Sequence, residues 1–217
     1  MEQREILAKR SNKVVYREGN LVYKVFDRSF PKADILNEAL NQARIEETGL
    51  PIPGIVSVNV TEQGEWTIVQ EYVSGKTMAQ LMKEEPENRN QYLEQFVDLQ
   101  LLVHSKRSPL LNKLREKLDR QISTCEALSP NTRFIIRGRL DSMPKHACVL
   151  HGDFNPGNII VSEDGTCHIL DWSHTTQGNA SADAANTYLL LTLEDAETAD
   201  QYLELYCRKS KTAKHYV

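Results

Sequence analysis

Three polar side chains in one short stretch have the types and spacing to act on a common point. Residues 149–173 read Val-Leu-His-Gly-Asp-Phe-Asn-Pro-Gly-Asn-Ile-Ile-Val-Ser-Glu-Asp-Gly-Thr-Cys-His-Ile-Leu-Asp-Trp-Ser, and Asp153, Asn158 and Asp171 stand out. Asp153 and Asn158 lie five apart in a loop with Pro156 and Gly157. Asp164-Gly165 then separates the apolar runs 159–161 and 167–170, which is a strong hairpin signal. A hairpin there brings Asn158, at the start of one strand, beside Asp171, at the end of the other. One carboxylate and one amide carbonyl suit Mg²⁺, a hard cation that takes its remaining ligands from phosphates and water. A further carboxylate off the metal, Asp153, is placed to accept the proton of an attacking hydroxyl. That combination is suited to phosphoryl transfer.

The spacing matches the protein-kinase pattern H-R-D-x-x-x-x-N followed by a metal-binding Asp. Here the pattern reads His151-Gly152-Asp153, with Asn158 and then Asp171-Trp172. The form His-Gly-Asp-Phe-x-Pro-Gly-Asn, with Asp-Trp downstream, resembles the aminoglycoside phosphotransferase and choline kinase family. The resemblance implies the two-lobed, protein-kinase-like α+β fold: a small antiparallel sheet with one helix, then a mainly helical lobe. It implies ATP and Mg²⁺ as cofactors and a small-molecule hydroxyl as acceptor. Asp153 is then the catalytic base, Asn158 and Asp171 the metal ligands, and His151 a structural brace of the loop. An Asp at the place of Asp183 braces the backbone of the same loop. The resemblance spans about residues 5–205 and is most specific at 149–173. Relatives continue through further helices that help build the acceptor pocket, so against them the chain looks short or its tail is absent.

The elements that must position these groups follow in order. Residues 5–26 pattern as three strands, and Lys24 falls mid-strand in Leu-Val-Tyr-Lys-Val-Phe. A lysine buried there needs an anionic partner. By the resemblance it holds the α- and β-phosphates, and Glu38 is its partner. Glu38 lies on a helix expected over residues 31–48, with Ile35, Leu36, Ala39, Leu40 and Ala43 on its apolar stripe and Gly49 as its stop. The loop 9–13 between the first two strands would cover the phosphates, although it lacks glycine, and Ser11 or Asn12 are its candidate donors. Strands follow at 55–60 and 66–70. The exit Glu71-Tyr72-Val73 is the implied hinge, where backbone groups of Glu71 and Val73 hold adenine. The lobes divide there, residues 1–73 forming the nucleotide-binding lobe and 74–217 the helical lobe with the catalytic loop and acceptor site.

Beyond the hinge, Thr77 is expected to cap a short helix. Tyr92, Phe96, Leu99 and Val103 form one core stripe, and Leu111, Leu114, Leu118 and Ile122 another. A helix over 133–141 carries Arg133, Arg137 and Arg139 as a solvated basic face. Residues 173–179 read as a loop, with His174 an ordinary loop residue. Helices follow over 184–193 and 194–208.

Composition bounds the alternatives. With 26 Lys and Arg against 30 Asp and Glu, net charge is −4 and the pI near 5.9, which argues against a nucleic-acid surface. No run is long enough to span a membrane. The opening Met-Glu-Gln-Arg-Glu is charged and shows no apolar h-region. Cys125, Cys148, Cys167 and Cys207 show no C-x-x-C pair, and the six histidines no zinc spacing. These features point to a cytoplasmic protein with free thiols. Two rivals share the fold: a small atypical protein kinase, and a nucleotide-binding module without catalysis. Pro156-Gly157 and Asp171-Trp172 favour a small-molecule acceptor over the first, and the intact trio of Asp153, Asn158 and Asp171 weighs against the second.

Overall fold

The computed structural model describes residues 4–217, so Met1–Gln3 of the charged opening lie outside the described residues. The strands are β1 Glu5–Lys9, β2 Lys13–Glu18, β3 Leu21–Phe26, β4 Ile55–Val60, β5 Trp66–Glu71, β6 Lys76–Thr77, β7 Cys148–Leu150, β8 Ile159–Val161, β9 Cys167–Ile169 and β10 Thr176–Gly178. The α-helices are α1 Lys32–Glu46, α2 Met78–Glu84, α3 Arg89–Ser105, α4 Leu114–Thr124, α5 Pro130–Ser142, α6 Ala180–Glu194 and α7 Ala196–Ser210. Contacts group them into two compact units. One comprises the chain through Tyr92 together with Asn155–His174; the other comprises Leu93–Phe154 and Thr175–Val217.

The first unit is built on an antiparallel sheet of order β1-β2-β3-β5-β4. In β3 the side chains alternate, so that Val22, Lys24 and Phe26 are buried on one face. That face packs on α1, where Phe26, Ile35, Ala39 and Ile68 form a core. Pro31 stands at the N-cap of α1, Asp34 is in its first turn, and Gly49 adopts φ +70° just beyond its end. Thr77 caps α2 through a capping box: its Oγ1 accepts from Gln80 N, and Gln80 Oε1 accepts from Thr77 N.

β8 and β9 form the hairpin around Asp164-Gly165, with Gly165 at φ +82°, and β6 adds to its edge. The approach of β6 is close. A Cβ on Gly75 would stand 2.2 Å from the carbonyl oxygen of Val161, so only glycine fits.

The second unit is mainly helical. The buried stripe of α3 is Leu93, Phe96, Val97, Gln100, Val103 and His104, rotated from the apolar reading so that Tyr92 and Leu99 flank it. Two polar residues belong to this stripe because each has a buried partner: Gln100 with Thr187 and Tyr202, and His104 with Asp183 and Tyr206. The second expected stripe is corrected. Leu111 is buried but precedes α4, while α4 itself buries no residue completely and Leu114, Leu118 and Ile122 are half-buried. On α5, Arg137 pairs with Asp119, and Arg133 donates to the carbonyl of Leu128.

Residues 176–178 form β10, paired with β7, where the sequence read as loop. Thr-Gln-Gly has no apolar alternation, and its strand is set by pairing with Cys-Val-Leu. No described helix is long and apolar enough to cross a membrane.

Candidate active site

In the first unit a cavity of about 470 Å³ is bordered by Val22 and Lys24 of β3, Gln70 and Glu71 of β5, Tyr72, Val73, Gly75, Asn158, Leu170 and Asp171. Lys24 reaches it from β3. The Lys24 Nζ donates to Glu38 Oε1 at 2.9 Å, and the two residues are 6% and 4% exposed. Burial by itself would push the ammonium's pKa down. The Glu38 carboxylate, joined by Asp171, outweighs it, so Lys24 stays charged with its pKa above the usual lysine value.

The hairpin presents the two hard-oxygen side chains. Leu170 N donates to the Asn158 carbonyl at 2.8 Å, and Ile159 pairs with Ile169, so Asn158 stands one residue from Asp171 across the ladder. Asn158 closes the 3-10 turn Pro156–Asn158, whose entry Asn155 accepts from Gly157 N. Asp171 has φ +60°, a left-handed conformation that Asp tolerates better than most residues. The Trp172 indole donates to the Ile169 carbonyl and closes this bend. Such a backbone breaks the strand at Asp171 and turns its carboxylate out of the ladder.

A hard-oxygen pair of this kind fits a cation that is shared with a ligand. Among the described residues no group of three His, Cys, Asp or Glu side chains could hold a metal alone. Asn158 and Asp171 supply two oxygen donors, and Mg²⁺ is the ion that accepts so few protein ligands.

The β5 exit supplies backbone groups. Glu71 N donates to the Gly54 carbonyl, and the Glu71 carboxylate accepts from Gly54 N. Tyr72 N donates to the Asn20 carbonyl. Val73 N has no hydrogen-bond acceptor among the described residues and borders the cavity. A larger and more open hollow, about 660 Å³, lies against Tyr72 and Asp164, but Lys24, Asn158 and Asp171 do not line it.

Asp153 belongs to the second unit, in a loop tied down on both sides. Asp183 Oδ2 accepts from His151 N at 3.2 Å, and its Oδ1 accepts from Gly152 N at 2.7 Å. Asn186 donates to the Gly152 carbonyl, and Thr187 Oγ1 to that of Phe154. The buried His151 ring accepts from Asp153 N through Nδ1. Asp183, itself in the first turn of α6, also meets His104 Nε2 at 3.0 Å. An ionised carboxylate only accepts, so His104 donates there. Burial would raise the Asp183 pKa, but the His104 hydrogen bond and charge, with His151 and Gly152 N, hold it below the usual value. His174 is exposed.

Several cavity residues carried no readable signal. Arg10 of the β1–β2 turn and Lys13 at the start of β2 border the cavity, and Arg10 is near enough to act on the charge of Lys24. The lining does not include Ser11 or Asn12, the donors suggested for this turn. A glycine-free loop with three cations, Lys9, Arg10 and Lys13, looks like any solvated turn. Gln42 and Gln70, buried and in contact with each other, were also silent, because their relation depends on a contact between residues 28 apart.

A family model described as the phosphotransferase enzyme family matches residues 2–216. No curated protein matches the chain. Among solved structures, an aminoglycoside-3'-phosphotransferase of type VIII superposes with a TM-score of 0.71 at 17% identity, covering 98% of this chain and 88% of that one. A thermostable mutant of aminoglycoside phosphotransferase APH(4)-Ia, in ternary complex with ADP and hygromycin B, gives 0.70 at 12% identity, with 99% and 81% covered. A choline/ethanolamine kinase family protein from Mesorhizobium loti gives 0.60 at 17% identity, with 94% and 69% covered. These likenesses identify the fold as the kinase-like α+β fold expected from the sequence.

Proposed function

This chain belongs to the phosphotransferase enzyme family, and from that membership and its cavity we propose that it moves the γ-phosphoryl group of a Mg²⁺-bound nucleoside triphosphate, with ATP as the reference donor, to a hydroxyl of a small molecule. The observation that carries the proposal is that Lys24, ion-paired with buried Glu38, lines the same cavity as Asn158 and Asp171. A buried ammonium is costly unless it is paired. A lysine kept charged beside two hard-oxygen side chains is what a polyphosphate and its cation require.

In this reading each residue has one task. Lys24, fixed by Glu38, binds the α- and β-phosphates. Asn158 and Asp171 hold Mg²⁺, which when bound neutralises phosphate charge. The free N–H of Val73 and the backbone of Glu71 hold the base at the hinge. Asp153 orients the acceptor hydroxyl and takes its proton. The acceptor oxygen bonds to the γ-phosphorus, the bond from that phosphorus to the β–γ bridging oxygen breaks, and the nucleoside diphosphate leaves. The chain's contribution is placement and charge complementarity, and no covalent enzyme intermediate is needed. We take residues 1–73 as the nucleotide-binding lobe and 74–217 as the helical lobe with the catalytic loop, the metal ligands and the acceptor site, in a cytoplasmic setting with neither nucleic acid nor membrane as partner.

The family and its neighbours support an amino alcohol, an aminoglycoside or a sugar-like compound as the acceptor. The test is Mg²⁺-dependent release of ADP or GDP across a panel of such hydroxyl compounds, with Asp153→Asn as the blank. A compound that drives release in the native chain and not in the blank is the expected result. Release that persists unchanged in the blank removes Asp153 from the base role. Label transferred to added protein and to no small alcohol would replace the small-molecule acceptor with a protein.

A further inference from the structure

Two buried glutamines determine what the base end of the cavity can recognise. Gln42 and Gln70 are 2% and 4% exposed. Gln42 Nε2 donates to the Pro53 carbonyl at 2.8 Å and to Gln70 Oε1 at 3.3 Å. The Pro53 carbonyl can only accept, so the Gln42 atom facing it is the amide nitrogen. The same nitrogen faces Gln70, so the Gln70 atom meeting it is the oxygen. One proline carbonyl thereby fixes the orientation of both amides.

With its oxygen turned to Gln42, Gln70 has its Nε2 left to offer. That nitrogen has no acceptor among the described residues and is not among the sealed, unpartnered polar atoms. It therefore faces the space Gln70 borders, the cavity of Lys24. Register says where. Gln70 pairs with Val22 and Ile68 pairs with Lys24, so the Gln70 side chain emerges on the same sheet face as Lys24, two residues nearer the hinge. A nucleotide with its phosphates at Lys24 and its base at Val73 passes its purine edge over Gln70.

That edge differs between purines. Guanine presents two acceptors there, O6 and N7; adenine presents the N7 acceptor beside the N6 donor. A free glutamine reads adenine with its oxygen and nitrogen together. Here the Gln42 hydrogen bond holds the Gln70 oxygen toward α1, so its nitrogen meets the adenine amino group donor to donor. We propose that the Gln42–Gln70 pair makes this cavity select 6-oxopurine nucleotides over 6-aminopurine ones, so that a GTP-type donor is the better substrate. The proposal rests on reading the cavity as the nucleotide site.

Calorimetric titration of the full chain with GDP, IDP and ADP in Mg²⁺ tests it. IDP carries the 6-oxo group without the 2-amino group of GDP, so it isolates the contact. GDP and IDP should bind about tenfold more tightly than ADP, the scale of one neutral hydrogen bond gained in place of a donor–donor contact. Gln70→Leu removes the donor, and Gln42→Leu frees Gln70 to rotate; each should bring the three affinities within about threefold. The Gln42 variant touches no nucleotide, so a changed ratio there reports on amide orientation, and a melting curve confirms that each variant folds. ADP binding as tightly as GDP and IDP in the native chain, or a preference that survives both variants, overturns this inference and leaves the phosphotransferase reading standing. Binding of none of the three overturns both.

Discussion

Removing the Glu38 carboxylate should cost more stability than any exposed ion pair in the chain, and the cost should vanish when Lys24 goes with it. At 2.9 Å the Lys24–Glu38 attraction is about 6 kcal/mol at an effective dielectric constant of about 20. Desolvation of two nearly buried groups offsets much of that, so the pair's net worth is small. The single variant differs. Glu38→Leu leaves a buried ammonium whose nearest compensation is Asp171. Uncompensated buried charges cost about 3–5 kcal/mol, and the Asp171 carboxylate brings the expectation to about 3. Lys24→Met leaves the Glu38 carboxylate buried and should cost a similar amount. The double variant replaces both charges with apolar groups against Phe26 and Ile68 and should lie within about 1 kcal/mol of the native chain. Urea unfolding of the four proteins closes the cycle, with a coupling of several kcal/mol expected. Because the Lys24 pKa is raised, its stabilisation is complete below about pH 10, the unfolded lysine value, and is lost only as pH rises through the higher folded value. In Glu38→Leu the carboxylate that raises it is gone and burial pushes the ammonium's pKa down, so the variant's loss should be smaller at pH 8 than at pH 6. Singles that each cost under about 0.5 kcal/mol and simply add would refute the reasoning.

Other expectations are shorter. Asp171→Ala should abolish Mg²⁺-dependent nucleotide binding in calorimetry while leaving the melting temperature within a few degrees of native; full affinity would take Asp171 out of the metal site. Gly75→Ala drives a Cβ to 2.2 Å from the Val161 oxygen, whereas a Cβ at Gly165 meets nothing within 4 Å. Gly75→Ala should therefore cost about 3 kcal/mol and Gly165→Ala about 1, the backbone cost alone, in matched urea titrations. Equal costs would show that β6 yields freely. Asp183, with its pKa depressed, contributes stability that is present above about pH 4 and lost as pH falls through its lower folded value. Native stability should fall steeply there and that of Asp183→Asn should fall less; parallel pH profiles would discount the network.

What the sequence disclosed depended on how local the signal was. The β8–β9 hairpin was readable because Asp164-Gly165 is a turn between two β-type runs, and its register then sets Asn158 beside Leu170 and Asp171. The three N-terminal strands were readable from alternation as in β3, and α1 from Ile35 and Ala39; Leu36, Leu40 and Ala43, expected on the same stripe, are exposed, because the buried face of α1 takes Glu38, Asn41 and Gln42 instead. β6, β7 and β10 were not: two or three residues cannot display a period, and their partners supply the pattern. The stripe of α3 was misplaced because Gln100 and His104 count as polar in sequence, yet both are buried against partners on α6 and α7. The stripe through α4 misled for the opposite reason, since leucines at helical spacing need not be covered completely.

One helix links most of what the cavity offers, though its own backbone does not line it. On consecutive turns α1 presents Glu38 to Lys24 and Gln42 to Gln70, so the phosphate end and the base end share one support. Between them Asn41 Nδ2 reaches the Ser173 carbonyl at 3.5 Å, just past the left-handed bend at Asp171. A sheet alone cannot coordinate these three places, because Lys24 and Gln70 lie on neighbouring strands and Asp171 ends a separate hairpin. A rigid helix packed by Ile35 and Ala39 against Phe26 and Ile68 can. Loosening that packing by Ile35→Ala should cost about 3 kcal/mol of stability. It should also weaken nucleotide binding at a temperature where the variant is still fully folded, through misplacement of Glu38 and Gln42. With the cavity as the proposed nucleotide site, the apolar face of α1 is tied to ligand binding by geometry, and nucleotide affinity should report on substitutions there as much as stability does.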